Sequence, residues 1–263
     1  MVSTGPRVVI VGAGAIGCSA AVFLAMRGGC DVTIVDRAAA GEGSTPKAAG
    51  GLRHQFSTAI NIRFSQLSMP YFAHSVDWLG VQTPFDEVGY IFLGRSADQA
   101  EAFKHNVDLQ QSLGVPAEWL SPEDVLREWP FFKLDGVHAA TWCPNDALTD
   151  QVQVMQALVN RARQLGVRFV EHTPVTRITT VGSQAVGVET ERGSIDADLV
   201  VLAAGAWSPA IAKTVGVELP IMPSRREIFS CTDVTGLPTN LPFVADFDIG
   251  SYVRRDSHGF RIS

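Results

Sequence analysis

Residues 7–36 read RVVIVGAGAIGCSAAVFLAMRGGCDVTIVD, and this stretch decides the fold. RVVIV predicts a short buried strand, and residues 18–26 are apolar enough for a core-facing helix. DVTIVD predicts a second strand that ends in an acid. Between the first strand and the helix stand Gly12-Ala13-Gly14-Ala15-Ile16-Gly17. Gly12 permits a tight turn, Gly14 lets a pyrophosphate reach the backbone, and Gly17 lets helix and strand pack closely. The helix N-terminus offers free N–H groups and partial positive charge to phosphates. Asp36 lies nineteen residues past Gly17, near the ~20 at which a carboxylate accepts from a ribose hydroxyl pair. The pattern predicts a dinucleotide cradle. A plain turn with a core helix would share the glycines. A membrane span or signal would share the uncharged run 8–26. Three glycines in one turn and a strand returning to an acid argue against a span, and no small-residue cleavage site follows a basic start.

The totals agree with a globular chain. It has 263 residues, 46% hydrophobic and 18% charged, with net charge −6. That length allows two domains. No Lys/Arg run occurs, which argues against nucleic acid and anionic membranes as partners. Cys18, Cys30, Cys143 and Cys231 are scattered without metal spacing. They predict reduced, mostly buried thiols, no metal site and a cytoplasmic protein.

Residues 38–51 (AAAGEGSTPKAAGG) are small enough to lie flat against a bulky ligand. Leu52-Arg53-His54-Gln55-Phe56 follows, then a predicted helix over 57–79, with Ile60, Phe64, Leu67 and Tyr71 at helical spacing and a kink at Pro70. Residues 83–94 look extended. Ser96 with Gln99, and Ser121 with Pro122, predict helix starts. This block breaks the βαβ rhythm and reads as an inserted antiparallel domain whose aromatics are mostly core. A helix from about 151 to 165 and a strand at 167–171 resume the first domain. A meander follows over 175–197, then the apolar strand LVVLA (199–203), suited to the middle of a parallel sheet. Ala204-Gly205-Ala206-Trp207-Ser208 sits at its carboxyl end, where doubly wound sheets bind ligands. The fold class is therefore α/β: a Rossmann-like domain with parallel sheet and meander (1–80 and 144–219), plus a discontinuous α+β domain with an antiparallel sheet (81–143 and 220–263).

The glycine turn with Asp36, the loop Gly43–Phe56 (GSTPKAAGGLRHQF) and the segment Ala203-Ala204-Gly205-Ala206-Trp207-Ser208 together resemble the FAD-dependent oxidoreductases of the D-amino-acid oxidase superfamily. The nearest resemblance is to sarcosine oxidase β-subunits, dimethylglycine dehydrogenase and dye-linked proline dehydrogenase β-subunits, over essentially the whole chain. The resemblance implies FAD held by Gly12, Ala13, Gly14, Ile16, Gly17, Asp36 and Arg37. It extends the site through Ser44, Thr45, Lys47, Ala49, Gly50, Gly51 and Leu52 in the loop that passes under the flavin ring. Val175 stands where a backbone group meets adenine, and Ala203, Ala204, Gly205 and Trp207 supply a further flavin contact. Some relatives attach flavin through a histidine where this chain has Lys47, which implies non-covalent FAD. In the family the chain continues past the Tyr252-Val253-Arg254 strand, through further substrate-domain strands to a glycine-rich segment and helix. A fragment or a shortened product is expected here.

The implied reaction is oxidation of a secondary amine or amino acid. A hydride equivalent leaves the carbon beside nitrogen, and water then hydrolyses the imine. Arg53 follows the flavin loop and suits a substrate carboxylate, with a surface or phosphate-pairing role as the alternative. His54 tunes the flavin or the amine, or is structural. Arg225 and Arg226 are expected on a strand, one of them (Arg226 as the site candidate) facing the cavity. Tyr252 matches a substrate-side tyrosine in some relatives, or is core. Oxygen, a quinone or another flavoprotein would accept the electrons. A partner-dependent flavin subunit or assembly factor is the alternative function, and a nicotinamide-linked dehydrogenase a further one.

Overall fold

The computed structural model describes residues 5–256 and 259–263. In chain order its strands are β1 (Arg7–Val11), β2 (Asp31–Val35), β3 (Gly51–Leu52), β4 (Tyr90–Gly94), β5 (Glu118–Leu120), β6 (Ala139–Cys143), β7 (Ala147–Leu148), β8 (Arg168–Val170), β9 (Val175–Val181), β10 (Gln184–Thr190), β11 (Gly193–Asp196), β12 (Leu199–Leu202), β13 (Phe229–Cys231), β14 (Phe243–Asp246), β15 (Ser251–Asp256) and β16 (Gly259–Ile262). The helices are α1 (Ala15–Arg27), α2 (Ala59–Ala73), α3 (Val76–Leu79), α4 (Ala97–Ser112), α5 (Pro122–Glu128), α6 (Gln151–Gln164) and α7 (Ser208–Ala212). None among the described residues is long and apolar enough to cross a membrane.

The chain divides into two compact units. The first holds the described residues up to Ala48, Val76–Thr83 and Gln151–Ser224. The second holds Ala49–Ser75, Pro84–Asp150 and the described residues from Arg225 on. The sequence pattern groups 1–80 with 144–219; in the structure Ala49–Ser75 belongs to the second unit.

The first unit is built on a parallel sheet in the order β12-β1-β2-β8. Strand alternation sends Val9 and Val11 to one face and Val8 and Ile10 to the other. Val9, Val11 and Val35 pack against Ile178, Val188 and Ala197 of the antiparallel meander β9-β10-β11. α1 buries only small residues and one valine (Gly17, Cys18, Ala21, Val22), so its axis can run close to the sheet. It ends at Gly28, whose φ of 73° suits glycine. α6 packs beside it through a buried stripe of Val154, Met155, Leu158 and Ala162. Ile10 is fully buried, and truncating it to alanine would cost about 2–5 kcal/mol. β12 is an edge strand, not a middle one; its apolar character serves packing of Val200 and Leu202 under the meander.

The second unit is a seven-stranded sheet, β13-β16-β15-β14-β4-β6-β5, antiparallel except at the β4–β14 pair. One face carries Ile91, Leu93, Ala140 and Val244 with Val125 of α5. The other carries Tyr90, Phe92, Phe243 and Leu148 with Phe103 of α4. Ser121 and Asp124 close a full capping box on α5, and Ser96 caps α4 by accepting from the Gln99 N–H.

Three expectations change. The predicted 57–79 helix is two helices, α2 and α3. α2 buries Ile62 and Met69 while Ile60, Phe64, Leu67 and Tyr71 are exposed. Spacing identifies a stripe without saying which stripe is covered. Over 83–94, Tyr90–Gly94 is strand and Asp86 makes only an isolated antiparallel bridge with Leu148, because Pro84 and the positive φ of Gly89 interrupt the ladder. Arg225 and Arg226 lie exposed in an irregular segment before β13. Pro220 and Pro223 remove ladder donors there, so strand alternation does not apply to Arg226, which lies outside any strand and is exposed. Of the four free thiols, Cys18 and Cys143 are buried, Cys30 is intermediate and Cys231 is exposed.

Candidate functional site

The first unit brings most of the predicted cofactor residues to the carboxyl ends of neighbouring strands. β1 pairs with β12 through Val11 and Leu202, and the Ala203 N–H donates to the Val11 carbonyl at 2.8 Å. The Gly12 turn and the Ala203-Ala204-Gly205 segment are therefore side by side. Gly12 has φ +112°, and a Cβ there would lie 2.4 Å from the Ala203 carbonyl oxygen. A Cβ on Gly17 would lie 1.9 Å from the Gly12 carbonyl oxygen. Neither position tolerates a side chain.

Where a ligand would come, space is open. A Cβ on Gly14 would meet only Thr45 Oγ1 at 3.5 Å, and one on Gly205 would meet nothing within 4 Å. Gly14 is the N-cap of α1 and Ile16 in its first turn is exposed. Asp36 helps build the cradle: its oxygens accept from the Ala13 N–H at 2.7 Å and the Ala38 N–H at 2.8 Å. Each oxygen keeps a lone pair for a ribose hydroxyl. The Thr173 N–H donates to the Asp36 carbonyl at 2.8 Å, which brings the start of β9, with Val175, to the same edge. The Arg37 guanidinium lies 3.8 Å over the Trp207 ring. Thr45 Oγ1 accepts from the Ala15 N–H at 3.1 Å, while Ser44 and Lys47 of that turn are exposed. Burial, reinforced by the Asp36 charge, pushes the Cys18 thiol up to about 12, so it stays protonated and inert.

The second unit gathers a different group. Ala49 packs on the Tyr90–Phe243 cluster, the Gly50 carbonyl accepts from the Thr149 N–H, and Gly51-Leu52 pairs with β7. Arg53 is half-buried, its guanidinium 4.4 Å over Phe56 and 5.4 Å from the Phe92 centroid. Among the described residues it makes no hydrogen bond or ion pair. Burial lowers its pKa, opposed by the charges of Asp146 and Tyr90. It lines a cavity of about 180 Å³ with Leu52, Phe56, Asn61, Phe64 and Met69.

Asp146, which the sequence reading missed, is fully buried. Oδ1 accepts from the His54 N–H at 2.6 Å and lies 3.1 Å from His54 Nδ1. Oδ2 accepts from Gln55 Nε2 at 3.0 Å. Gln55 also donates to the Tyr90 carbonyl at 3.1 Å and accepts from Thr141 Oγ1 at 2.6 Å. Buried polar groups are costly unless satisfied, and here each satisfies another. The network locks the Arg53–Gln55 backbone to β4 and β6. It also assigns the Nδ1 proton of His54 to the Asp146 side, leaving Nε2 as the free position. Ligand-type atoms of His54, Cys143 and Asp146 lie within 4.8 Å of one another. The Asp146 oxygens are already engaged by N–H donors, and burial, with the Asp146 charge, pushes the Cys143 thiol up, away from the thiolate a metal needs. Tyr252 packs in the core of this face, 5.1 Å from the Phe243 ring. In an uninterrupted strand an Asp reads as buried only by exception; Asp146 follows Pro144-Asn145 and reads as a solvated turn.

The profile of the family described as "FAD dependent oxidoreductase" matches residues 7–263. The chain is 27% identical over 251 residues to 4-methylaminobutanoate oxidase (formaldehyde-forming) of Paenarthrobacter nicotinovorans, covering 95% of this chain and 30% of that protein. It is 28% identical over 255 residues to mitochondrial dimethylglycine dehydrogenase of Rattus norvegicus, covering 95% and 30%. The crystal structure of L-proline dehydrogenase from P. horikoshii superposes with TM-score 0.82 at 26% identity, covering 98% of this chain and 69% of that one. The chain thus spans about 30% of the length of these two curated relatives. The open glycine edge, the α1 N-terminus and Asp36 fit the pyrophosphate and ribose of FAD, the cofactor of this fold. The chain belongs to the FAD dependent oxidoreductase family.

Proposed function

We propose that the protein oxidises the C–N bond of a small secondary amine or amino acid, with the first unit holding FAD and the second presenting the substrate face. Bound FAD supplies the hydride acceptor. The observation that carries this reading is Arg53: a half-buried guanidinium stacked on two aromatic rings, free of protein partners and lining a cavity. Such a group suits a carboxylate, which accepts two parallel N–H bonds. The cavity, about 180 Å³, is below the ~300–1,000 Å³ of drug-sized pockets and suits a small acid. Relatives named for 4-methylaminobutanoate, dimethylglycine and sarcosine support an N-methyl amino acid as substrate. Lys47 is exposed and offers no imidazole to the flavin, so acid precipitation releases all FAD.

The test is anaerobic bleaching of the FAD-loaded protein by sarcosine, dimethylglycine, 4-methylaminobutanoate and proline, followed by steady-state kinetics with Arg53→Met. A charge-assisted bidentate contact contributes about 1.5–3 kcal/mol. Arg53→Met therefore raises KM for the carboxylated substrate about 10- to 100-fold and leaves an amine lacking a carboxylate unaffected. Absence of bleaching with every amine, or an unchanged KM, would refute the reading. A partner-dependent flavin subunit is the second reading, favoured by the exposed Ile60, Phe64, Leu67 and Tyr71 stripe on α2. Turnover that appears only on mixing with a co-purifying subunit would select it.

A further inference from the structure

Three strands of the first unit's sheet, β1, β2 and β12, run out into Gly12, Asp36 and Ala203 of the cofactor cradle. The fourth, β8, runs out into Glu171. The β2–β8 register sets Val35 beside Val170, and the Asp36 N–H donates to the Val170 carbonyl at 3.0 Å. Two acids therefore leave neighbouring strands at the edge where doubly wound sheets take their ligands. They share the turn 37–42. Asp36 Oδ1 accepts from the Ala38 N–H at 2.8 Å, and Glu171 Oε1 accepts from the Ala40 N–H at 2.7 Å. Two backbone bonds complete the fastening: the His172 N–H donates to the Ala38 carbonyl at 3.2 Å, and the Gly41 N–H to the Ala13 carbonyl at 3.0 Å. Ala13 stands between two cradle glycines, and its own N–H goes to Asp36, so this turn fixes both of its polar groups. At Gly41 a Cβ would lie 2.9 Å from Met155 Cγ of α6, which confines the turn from the other side. His172, directly after Glu171, has a φ of 51°, the one positive value at a non-glycine among the described residues. Backbone in that region persists only where its surroundings enforce it.

Glu171 is itself held. Arg163, in the last turn of α6, donates from Nη2 to both carboxylate oxygens, at 3.3 and 3.2 Å, and its guanidinium lies 5.1 Å from the Phe169 ring. Both side chains are partly exposed, where an ion pair contributes little to stability. Its value here is electrostatic and geometric. A bare carboxylate at an edge that takes a diphosphate repels it, and Arg163 removes that repulsion while aiming Oε1 at Ala40.

We propose that Glu171 and Arg163 are positioning residues for FAD. Glu171 fastens the turn 37–42 against the glycine cradle through the Ala40 N–H, and Arg163 orients Glu171 and neutralises it. The pair acts through the backbone of the turn. Its two contributions are separable, because glutamine keeps an oxygen for the Ala40 N–H but carries no charge. The inference concerns how FAD is held and does not depend on which amine is oxidised.

The experiment is titration of the full chain, freed of flavin, with FAD, read by flavin fluorescence. The set is wild type, Glu171→Ala, Glu171→Gln, Arg163→Met, the double variant Arg163→Met/Glu171→Gln, and Asp198→Asn. Urea unfolding without FAD confirms that each is folded. Glu171→Ala should weaken FAD binding about tenfold or more, and Glu171→Gln should stay within about threefold of wild type. Arg163→Met should weaken it several-fold at low salt and less at high salt, and adding Glu171→Gln should restore the affinity of Glu171→Gln alone. Asp198→Asn, at the opposite end of the same sheet, should bind FAD like wild type. Wild-type affinity in folded Glu171→Ala overturns the proposal. Equal losses in Glu171→Ala and Glu171→Gln overturn it too, since the bond to Ala40 would then carry nothing. A defect in Arg163→Met that Glu171→Gln leaves uncorrected overturns the neutralising role. A loss in Asp198→Asn as large as in Glu171→Ala would mean general loosening of the sheet and overturns the assignment to the turn. The expected affinities in a protein that no amine bleaches would sustain this inference while the amine reading fails.

Discussion

The cradle of the first unit is made of backbone, and the polar face of the second is made of side chains. In the cradle, what counts is what is missing: no Cβ at Gly12, Gly14, Gly17 or Gly205. Its side chains serve the backbone: Asp36 accepts from two backbone N–H groups and Thr45 from one. On the face, Arg53, His54, Gln55, Thr141 and Asp146 act through side-chain atoms, with the Tyr90 carbonyl, brought from three separate stretches of the chain. A backbone site tolerates changes in almost any side chain but no added carbon. A side-chain site tolerates added carbon at its rim and no change of donor or acceptor at its centre.

The largest expected effect tests the first half of that contrast. Gly17 lies within α1, where helix propensity alone would make Gly17→Ala stabilising by about 1 kcal/mol. Its Cβ would stand 1.9 Å from a backbone oxygen and 3.3 Å from Ile10 Cγ2, neither of which is a flexible side-chain end. Overpacking should win, with a net loss of about 3–5 kcal/mol and loss of bound FAD, read by equilibrium unfolding and by the flavin-to-protein absorbance ratio. A variant as stable as wild type would show that the strand-to-helix turn has slack and that the glycine spacing serves something other than close packing.

Asp146→Asn tests the second half. It keeps shape and volume but turns one acceptor oxygen into a donor facing the His54 or Gln55 N–H groups. It also removes the buried negative charge nearest Arg53. Breaking such a network costs about 2–4 kcal/mol, measured by urea unfolding. FAD retention should survive, since no cradle residue is altered. Loss comparable with Gly17→Ala would equalise the two regions; a loss below 0.5 kcal/mol would mean that Gln55 and His54 re-pair without Asp146.

The same contrast explains what the amino-acid sequence discloses. Gly12 to Asp36 declares itself because each residue's role is local: a positive φ, a close approach, an acid at a strand end. The meander and the Ala203–Gly205 edge follow from turn signals and one apolar run. The second unit hides its chemistry in register. Alternation says that Tyr90 and Phe92 share a face, but not that Gln55, some 35 residues earlier, reaches the Tyr90 carbonyl. Nor does it show that an aspartate after Pro-Asn is the network's centre. Strand alternation says nothing of Arg226, because Pro220 and Pro223 keep its segment out of a ladder. Helical period finds the α2 stripe but is blind to which side of the helix has a neighbour.

The smallest expected effect lies at the far end of the first unit's sheet and separates charge from shape. Arg7 opens β1 and Asp198 precedes β12; the Asp198 carboxylate accepts from the Arg7 backbone N–H at 2.7 Å and from its guanidinium at 3.1 and 3.3 Å. The guanidinium bond, then the backbone N–H, holds the Asp198 pKa below its ordinary 3.8. A carboxylate with a depressed folded pKa contributes stability that is present above its unfolded value and lost as pH falls through the folded one. Both groups are solvent-exposed, so the contribution is small and screened by salt. Asp198→Asn should therefore unfold at slightly lower urea than wild type at pH 7, and the gap should close as pH drops below 3.8 or as salt rises. A gap that stays constant across that range would mean that the asparagine has lost hydrogen-bond geometry at the Arg7 N–H rather than charge. The clasp would then belong with the backbone-built part of the molecule.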